Sequence, residues 1–449
     1  MRVGRVPQAV SHFTPWYAEL NAGHWRVLIA TFLGWIFDGY ESYALFIVLP
    51  LALQSTLTPA ELQNRAVWAG IAISATLLGW GLGGLAGSTL ADYVGRKQVM
   101  MYSVFGYGAF TGLTVLAHTF WTFVCLRFLT GLAMGSEWST GVTLLAETWP
   151  DTARPKGCGI LQSGFGWGTL LASLVWFALS ALNPLGRETW RLMFVVGALP
   201  AFLVLYLRRS ISESERWLTA LREQRWAATQ STELRRTSNQ RPFTLTEIFR
   251  NRESRRLLLL TFLLSLASTV GWWAISSWLP AFGEQVARAS GDRNPTVWGT
   301  YCTILYTLGA VIAYLLSGFI ADAIGRRWYL ILTYVGSWVF TALTYLWCHS
   351  TSALLPLIFA NGFFTLGCAY SWLAIYPVEL FTSSVRSTAA GFIFNATRLV
   401  AWIFPIAAGT MIQFFGEIRQ AVMVLSSIYL LGFVIPFFLP ETRGKPLPW

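Results

Sequence analysis

Ser88-Thr-Leu-Ala-Asp92-Tyr-Val-Gly95-Arg96-Lys97 and Gly318-Phe-Ile-Ala-Asp322-Ala-Ile-Gly325-Arg326-Arg327 are two copies of one pattern within a single chain. Each copy sets alanine, aspartate, glycine and a basic pair at the same spacing, and each joins two apolar runs. A second echo follows each one: Glu147-Thr-Trp-Pro-Asp-Thr-Ala-Arg154 returns as Glu379-Leu-Phe-Thr-Ser-Ser-Val-Arg386. Two matches at equivalent places predict a chain built of two related halves.

The runs between these loops predict the fold class. Of 449 residues, 55% are hydrophobic and 12% charged, against about 25% charged in soluble proteins. Apolar segments at 26–53, 66–90, 98–118, 121–147, 157–181, 190–208, 255–282, 297–321, 328–347, 352–379, 387–413 and 419–439 each approach bilayer length. The expectation is an all-α membrane protein of twelve transmembrane helices in two six-helix bundles, spanning 26–208 and 255–439. Residues 1–25 and 440–449 form the termini and 209–254 a polar linker. Residues 1–25 are largely polar and the first run is too long for a signal core, so no cleavable signal is expected.

Charge sets the topology. The linker and its edges hold twelve Arg against six Glu, which makes up much of the net +11. Arg96-Lys97, Arg154, Lys156, Arg326-Arg327, Arg386, Arg443 and Lys445 occupy alternate connections with it. This bias predicts a multi-pass inner-membrane protein with both termini cytoplasmic, and it explains the basic balance without nucleic acid. The five Cys form no CxxC pair and the four His lack ligand spacing, so no metal site is expected. GxG runs in the second and fifth segments follow no strand, and no G-x-x-x-x-G-K-[ST] occurs, so neither a nucleotide loop nor another cofactor site is expected.

A few polar residues stand inside the apolar runs. Asp38 lies near the middle of the first segment, where an ionised carboxylate costs roughly 2.5–3.5 kcal/mol, and Glu41 follows one turn later. Arg127 and Glu137 lie in the fourth segment, Gln162 in the fifth, and Asn395 and Arg398 in the eleventh. Each needs a partner, a proton or a water-filled path.

The two loops resemble the G-x-x-x-D-x-x-G-R-[KR] signature of the major facilitator superfamily, with Ser88 standing where the first copy's leading glycine belongs. Ser212-Glu-Ser-Glu-Arg-Trp217-Leu218 resembles the P-E-S-P-R-W-L element of sugar porters and related organic-ion transporters, Ser212 and Glu215 replacing its prolines. Pro440-Glu441-Thr442-Arg443-Gly444 resembles their P-E-T-[KR]-G element. Phe37-Asp38-Gly39-Tyr40-Glu41 is similar to the D-G-[FY]-[DE] element of aromatic acid:proton and cis,cis-muconate-type symporters. Gly131-Leu-Ala-Met-Gly135-Ser-Glu137-Trp138 is similar to their G-x-G-x-G-x-E-W pattern, with Ala133 at the middle glycine.

The resemblance implies a non-enzymatic, proton-coupled secondary transporter that imports an organic anion, an aromatic or unsaturated (di)carboxylate, by alternating access. A sugar or polyol symporter and a proton-antiporting exporter remain alternatives. The small anion, protons and the bilayer are the expected partners, and a monomer is the expected functional unit. Asp38, Glu41, Arg127 and Glu137 are candidates for proton coupling, with Arg127 beside either Asp38 or Glu41. A structural ion pair is the other reading of Arg127. Arg398 with Asn395 offers a guanidinium and an amide to a carboxylate. Tyr40, Gln162, Trp272, Trp273, Tyr306, Tyr370 and Trp372 are candidate pocket residues. Asp92, Arg96 and Glu147, with Asp322, Arg326, Glu379 and Arg386, are the candidate gating charges.

Overall fold

The computed structural model describes residues 15–223, 243–276, 278–401, 411 and 414–449. The first part of the N-terminal segment, the middle of the linker with Arg225, Arg235, Arg236 and Arg241, and the end of the eleventh apolar segment lie outside the described residues.

Among the described residues the chain forms helices and no strand, and twelve long helical segments follow the expected order. The first half comprises α1 (Ala22–Thr56), α2 (Arg65–Val94), α3 (Arg96–Thr114), α4 in two pieces (Phe120–Met134 and Glu137–Thr148), α5 (Arg154–Leu182) and α6 in two pieces (Arg191–Gly197 and Pro200–Ser210). The second half comprises α7 (Arg252–Ser276), α8 (Pro295–Ile324), α9 (Arg326–Ala342), α10 (from Thr351–Gly362 through Pro377–Leu380), α11 (Arg386–Asn395 and Arg398–Ala401) and α12 (from Ile418–Ser426 through Leu431–Val434). Nine of the twelve are long and apolar enough to cross a membrane by length and composition alone. Of the other three, α3 has 19 residues and starts on Arg96-Lys97, α4 is broken at Gly135-Ser136, and α11 is described as far as Ala401.

The duplicated loops show why they need their residues. Gly95 (φ +116°) and Gly325 (φ +88°) turn directly from one helix into the next in a conformation that favours glycine. The first backbone N–H groups beyond each turn are orphans of a new helix, and a carboxylate from elsewhere accepts them. Glu213 takes those of Arg96 and Lys97, both at 3.1 Å. Glu441 takes those of Arg326 (2.9 Å) and Arg327 (3.1 Å). The two end motifs, the partial one at Ser212 and the complete one at Pro440, therefore perform the same task in the two halves.

Small residues let the helices meet at backbone distance. A methyl group at Gly164 or Gly168 of α5 would run into backbone of α1, and one at Gly79 or Gly83 into backbone of α4. The same contacts account for the Ser88 departure. A methyl at Gly318 would strike the backbone of Pro155 and Lys156 in α5, whereas Ser88 packs on Gly391 of α11, which supplies the missing space. Large apolar side chains such as Phe177, Trp121 and Phe202 cover the outer surface, as a bilayer-facing surface requires.

Candidate functional site

The charged loops gather at one end of the bundle, here called the basic face, and there the halves are clasped together. Arg96 bonds to Asp92 (3.1 Å) and Glu147 (3.3 Å) within the first half and donates to the Ser383 carbonyl of the second (2.5 Å). Asp92 accepts the backbone N–H (2.8 Å) and hydroxyl (2.6 Å) of Thr388, at the start of α11. Glu147 binds Arg386 (2.5 Å) and accepts from the Ser383 hydroxyl (2.7 Å). In the second copy Arg326 pairs with Glu379 (2.8 Å) and Asp322 (2.7 Å), and Asp322 also meets Lys156 of the first half. The seven candidate gating residues thus lie in two clusters, Asp92–Arg96–Glu147–Arg386 and Asp322–Arg326–Glu379, and each cluster bridges the halves. Lys156 is the cross-link that the sequence reading missed.

The described residues enclose a central cavity between the halves, lined by Trp35, Tyr43, Trp80, Gln162, Phe165, Trp272, Trp273, Tyr370, Phe394 and Arg398 among others. Its volume is about 80 Å³, well below the roughly 300–1,000 Å³ of ligand pockets, so the walls are drawn together in this state. A wider crevice on the other side of the cavity from the basic face shares Phe46 and Ile73 with it and carries Arg65.

Arg398 is the cation of this cavity. No acid pairs with it among the described residues. Its guanidinium instead lies over the rings of Phe394 (4.0 Å) and Trp80 (4.4 Å), and Nη1 donates to the Phe394 carbonyl (2.7 Å). Aromatic faces stabilise a cation without neutralising it, which leaves the charge available to an anion. Asn395 stands behind Arg398 rather than in the cavity wall. Its side-chain oxygen accepts from Arg398 (3.4 Å) and its amide donates to the Gly135 carbonyl of the other half (3.4 Å).

The acids of α1 separate into two sites. The carboxyls of Asp38 and Glu137, both fully buried, face each other across α1 and α4, and neither meets a hydrogen-bond donor among the described residues. Two such carboxylates repel unless a proton lies between them. Glu41 instead forms a buried ion pair with Arg127, whose Nη2 also donates to Thr114 (2.6 Å) and Thr130 (3.0 Å). Arg127 also lies 4.6 Å from the Phe194 ring of α6. Of the two positions open to Arg127, the structure selects Glu41 and leaves Asp38 to Glu137. Arg127 lies in the first piece of α4 and Glu137 begins the second, ten residues on, so the two meet different acids of α1.

The pocket candidates divide as well. Gln162, Trp272, Trp273 and Tyr370 line the cavity. Tyr40, Tyr306 and Trp372 do not, because their polar atoms are used inside their own halves. Tyr40 donates to the Met193 carbonyl (2.9 Å), Tyr306 shares a bond with Thr365 (2.8 Å), and Trp372 donates to Ser268 (3.4 Å). The sequence reading missed Trp80 and Phe394, the cage of Arg398. Phe394 was accessible as the residue four before Arg398 on one helix face, and Trp80 as the bulky residue between Gly79 and Gly81.

The family model for sugar (and other) transporters matches residues 26–448. A probable 4-methylmuconolactone transporter of Cupriavidus pinatubonensis is 29% identical, over 96% of this chain and 93% of its own. The cis,cis-muconate transport protein of Acinetobacter baylyi is 28% identical, over 96% and 98%. Among solved structures, the major facilitator superfamily proton:xylose symporter XylE, bound to 6-bromo-6-deoxy-D-glucose, superposes with a TM-score of 0.74. It is 18% identical and covers 95% of this chain and 98% of its own, a likeness of fold.

Proposed function

The chain belongs to the sugar (and other) transporter family of the major facilitator superfamily, a multi-pass membrane transporter, and from that premise we propose that it imports an organic carboxylate together with protons. The observation that carries this reading is Arg398: a cavity cation held by rings instead of an acid, facing an otherwise aromatic lining. A carboxylate supplies the missing counter-charge through paired N–H donors, and a flat unsaturated body stacks on Trp272, Tyr370 or Trp35. The muconate-type relatives support an unsaturated acid as cargo.

The proton is taken by the Asp38–Glu137 pair. Without a proton the pair is repulsive, and with one it is a hydrogen bond, which gives a two-state element that substrate and proton bias together. Glu41–Arg127 is a standing ion pair that holds α1 to α4. The clasp at the basic face is the closed inner gate, so the cavity is reached from the opposite side, through the crevice that carries Arg65. The basic face, with both termini, lies in the cytoplasm, as its Lys and Arg content favours. The unit that works is the monomer.

Reconstituted protein under an imposed proton gradient tests the assignment. Asp38→Asn is expected to lose proton-driven accumulation of labelled carboxylate and to retain exchange between equal pools on the two sides. Accumulation by Asp38→Asn at the wild-type level would overturn it.

A further inference from the structure

The proton pair lies in the first half and the substrate cation in the second; beside the direct charge interaction of Asp38 with Arg398, a mechanical coupling needs a part that touches both. We infer that Trp138 is that part: it relays the state of the Asp38–Glu137 pair to Arg398 through the Phe394 ring. This inference rests on the reading of those two sites given above.

Trp138 follows Glu137 directly, in the first turn of the second piece of α4, so a movement of Glu137 toward or away from Asp38 carries the indole with it. The indole is fully buried and its position is fixed on two sides. Its N–H donates to the Gln162 side-chain oxygen (2.8 Å), and its ring stacks on Phe394 of the other half at 3.8 Å and 21°. Phe394 holds Arg398 twice, by its ring under the guanidinium (4.0 Å) and by its carbonyl to Nη1 (2.7 Å). A shift of Trp138 therefore moves the cradle of the cation. Trp35 of α1, one turn before Asp38, closes the same layer, with its ring 6.0 Å from Phe394 and its N–H donating to the Gln162 carbonyl (3.2 Å). Both helices of the proton pair thus press on one phenyl ring of the opposite half. Close-packed rings transmit such shifts because the interior is densely filled.

The charged and titratable groups around the pair are Glu41 on α1, Arg398 on α11 and Tyr107 on α3, whose hydroxyl has no hydrogen-bond partner among the described residues. Of these, only Arg398 belongs to the second half. With the proton absent, the parted carboxyls rotate the start of this α4 piece. With it present, they draw together and Trp138 settles on Phe394.

Hydrogen exchange of the purified full chain in nanodiscs, without added substrate, tests the relay. The readout is the peptide 386–400, corrected for the chemical pH dependence of amide exchange, between about pH 5.5 and about pH 8. The wild type is expected to change protection there severalfold. Trp138→Leu is expected to flatten that response to less than about twofold, and Trp138→Phe, which keeps a stacked ring, to preserve it. Asp38→Asn combined with Glu137→Gln is expected to flatten it as well. A full response in Trp138→Leu together with a flat one in the double variant would overturn the relay and leave the carboxyl pair standing. A full response in the double variant, or none in the wild type, would overturn the pair's assignment and the relay with it. If Trp138→Leu is too unstable to measure, Phe394→Leu breaks the same stack from the other side and the same outcomes decide.

Discussion

Replacing Arg398 by glutamine should remove transport without unfolding the protein. Among the described residues, both hydrogen bonds that Arg398 makes use Nη1. Its Nε–H and the two N–H groups of Nη2 make no bond among the described residues, and together they form the edge that receives a carboxylate in bidentate fashion. Charge-assisted hydrogen bonds are worth about 1.5–3 kcal/mol each, and truncating one member of a buried charge pair costs about 2–5 kcal/mol. A loss near 3 kcal/mol corresponds to about a 100-fold fall in kcat/KM. Stability should respond differently. Truncating one member of an ion pair strands its partner, but Arg398 has no acid partner among the described residues, so its removal strands none. The cation–π contacts that are lost, about 0.5–2 kcal/mol, are offset by no longer burying a charge. The assay is counterflow of a labelled carboxylate, chosen as one that raises the wild type's Tm, beside the Tm of each variant. Arg398→Lys keeps the charge but not the fork and should fall in between. A kcat/KM for Arg398→Gln within about threefold of wild type would refute the reasoning, because the cavity would then recognise its cargo without its cation.

Arg127→Gln leaves Glu41 buried without its ion-pair partner and should cost about 3–5 kcal/mol, read as a large fall in Tm; Glu41→Gln combined with Arg127→Gln should recover much of it. If both single variants instead keep wild-type Tm and lose proton coupling, the pair belongs to the proton path. The two end-motif carboxylates should respond to pH with opposite signs. Burial raises the proton affinity of Glu213 above the ordinary carboxylate range, and the N–H groups it accepts do not fully compensate, so its contribution is greatest when protonated and is lost as pH rises through that raised value. Burial acts in the same direction on Glu441, but the N–H groups of Arg326, Arg327 and Arg443 outweigh it, so its contribution is present above about pH 4.5 and is lost as pH falls. At neutral pH, Glu441→Gln should therefore lower Tm while Glu213→Gln leaves it unchanged or raises it, and the difference should shrink near about pH 4. Gly318→Ser, which copies the first loop into the second, should hinder closure of the basic face because α5 backbone occupies the space. Faster labelling of a cysteine placed at Ser383 would show this, and an unchanged rate would contradict it.

The fold was legible because its signals are local and repeated. Apolar runs, basic loops and the positive-φ glycines at 95 and 325 each act within a few residues. The identities of the intramembrane charges were legible for the same reason, since a carboxyl in an apolar run is visible at any resolution. Their pairing was not. Whether Arg127 meets Asp38 or Glu41 depends on how α4 is rotated and shifted against α1, and whether Tyr306 or Trp272 reaches the cavity depends on helix rotation that an all-apolar segment does not encode. Ser88 shows a further limit: its fit is decided by Gly391, a residue on a helix of the other half.

The division of charge between the halves also constrains the mechanism. Asp38, Glu41 and Glu137 all belong to the first half, together with Arg127, whereas the second half brings Arg398 to the cavity. If proton and cargo bound in the same half, they could be coupled by direct interaction, and coupling would need no contact between halves. Placed in opposite halves, they can be coupled only across surfaces that separate and meet again during the cycle. At membrane depth those surfaces include the Trp138–Phe394 stack and the Asn395–Gly135 hydrogen bond. Both contacts lie between the cavity and the clasp at the basic face. A proton on the first half and an anion on the second must therefore act through the layer that parts when the inner gate opens, and substitutions there should uncouple transport before they abolish it.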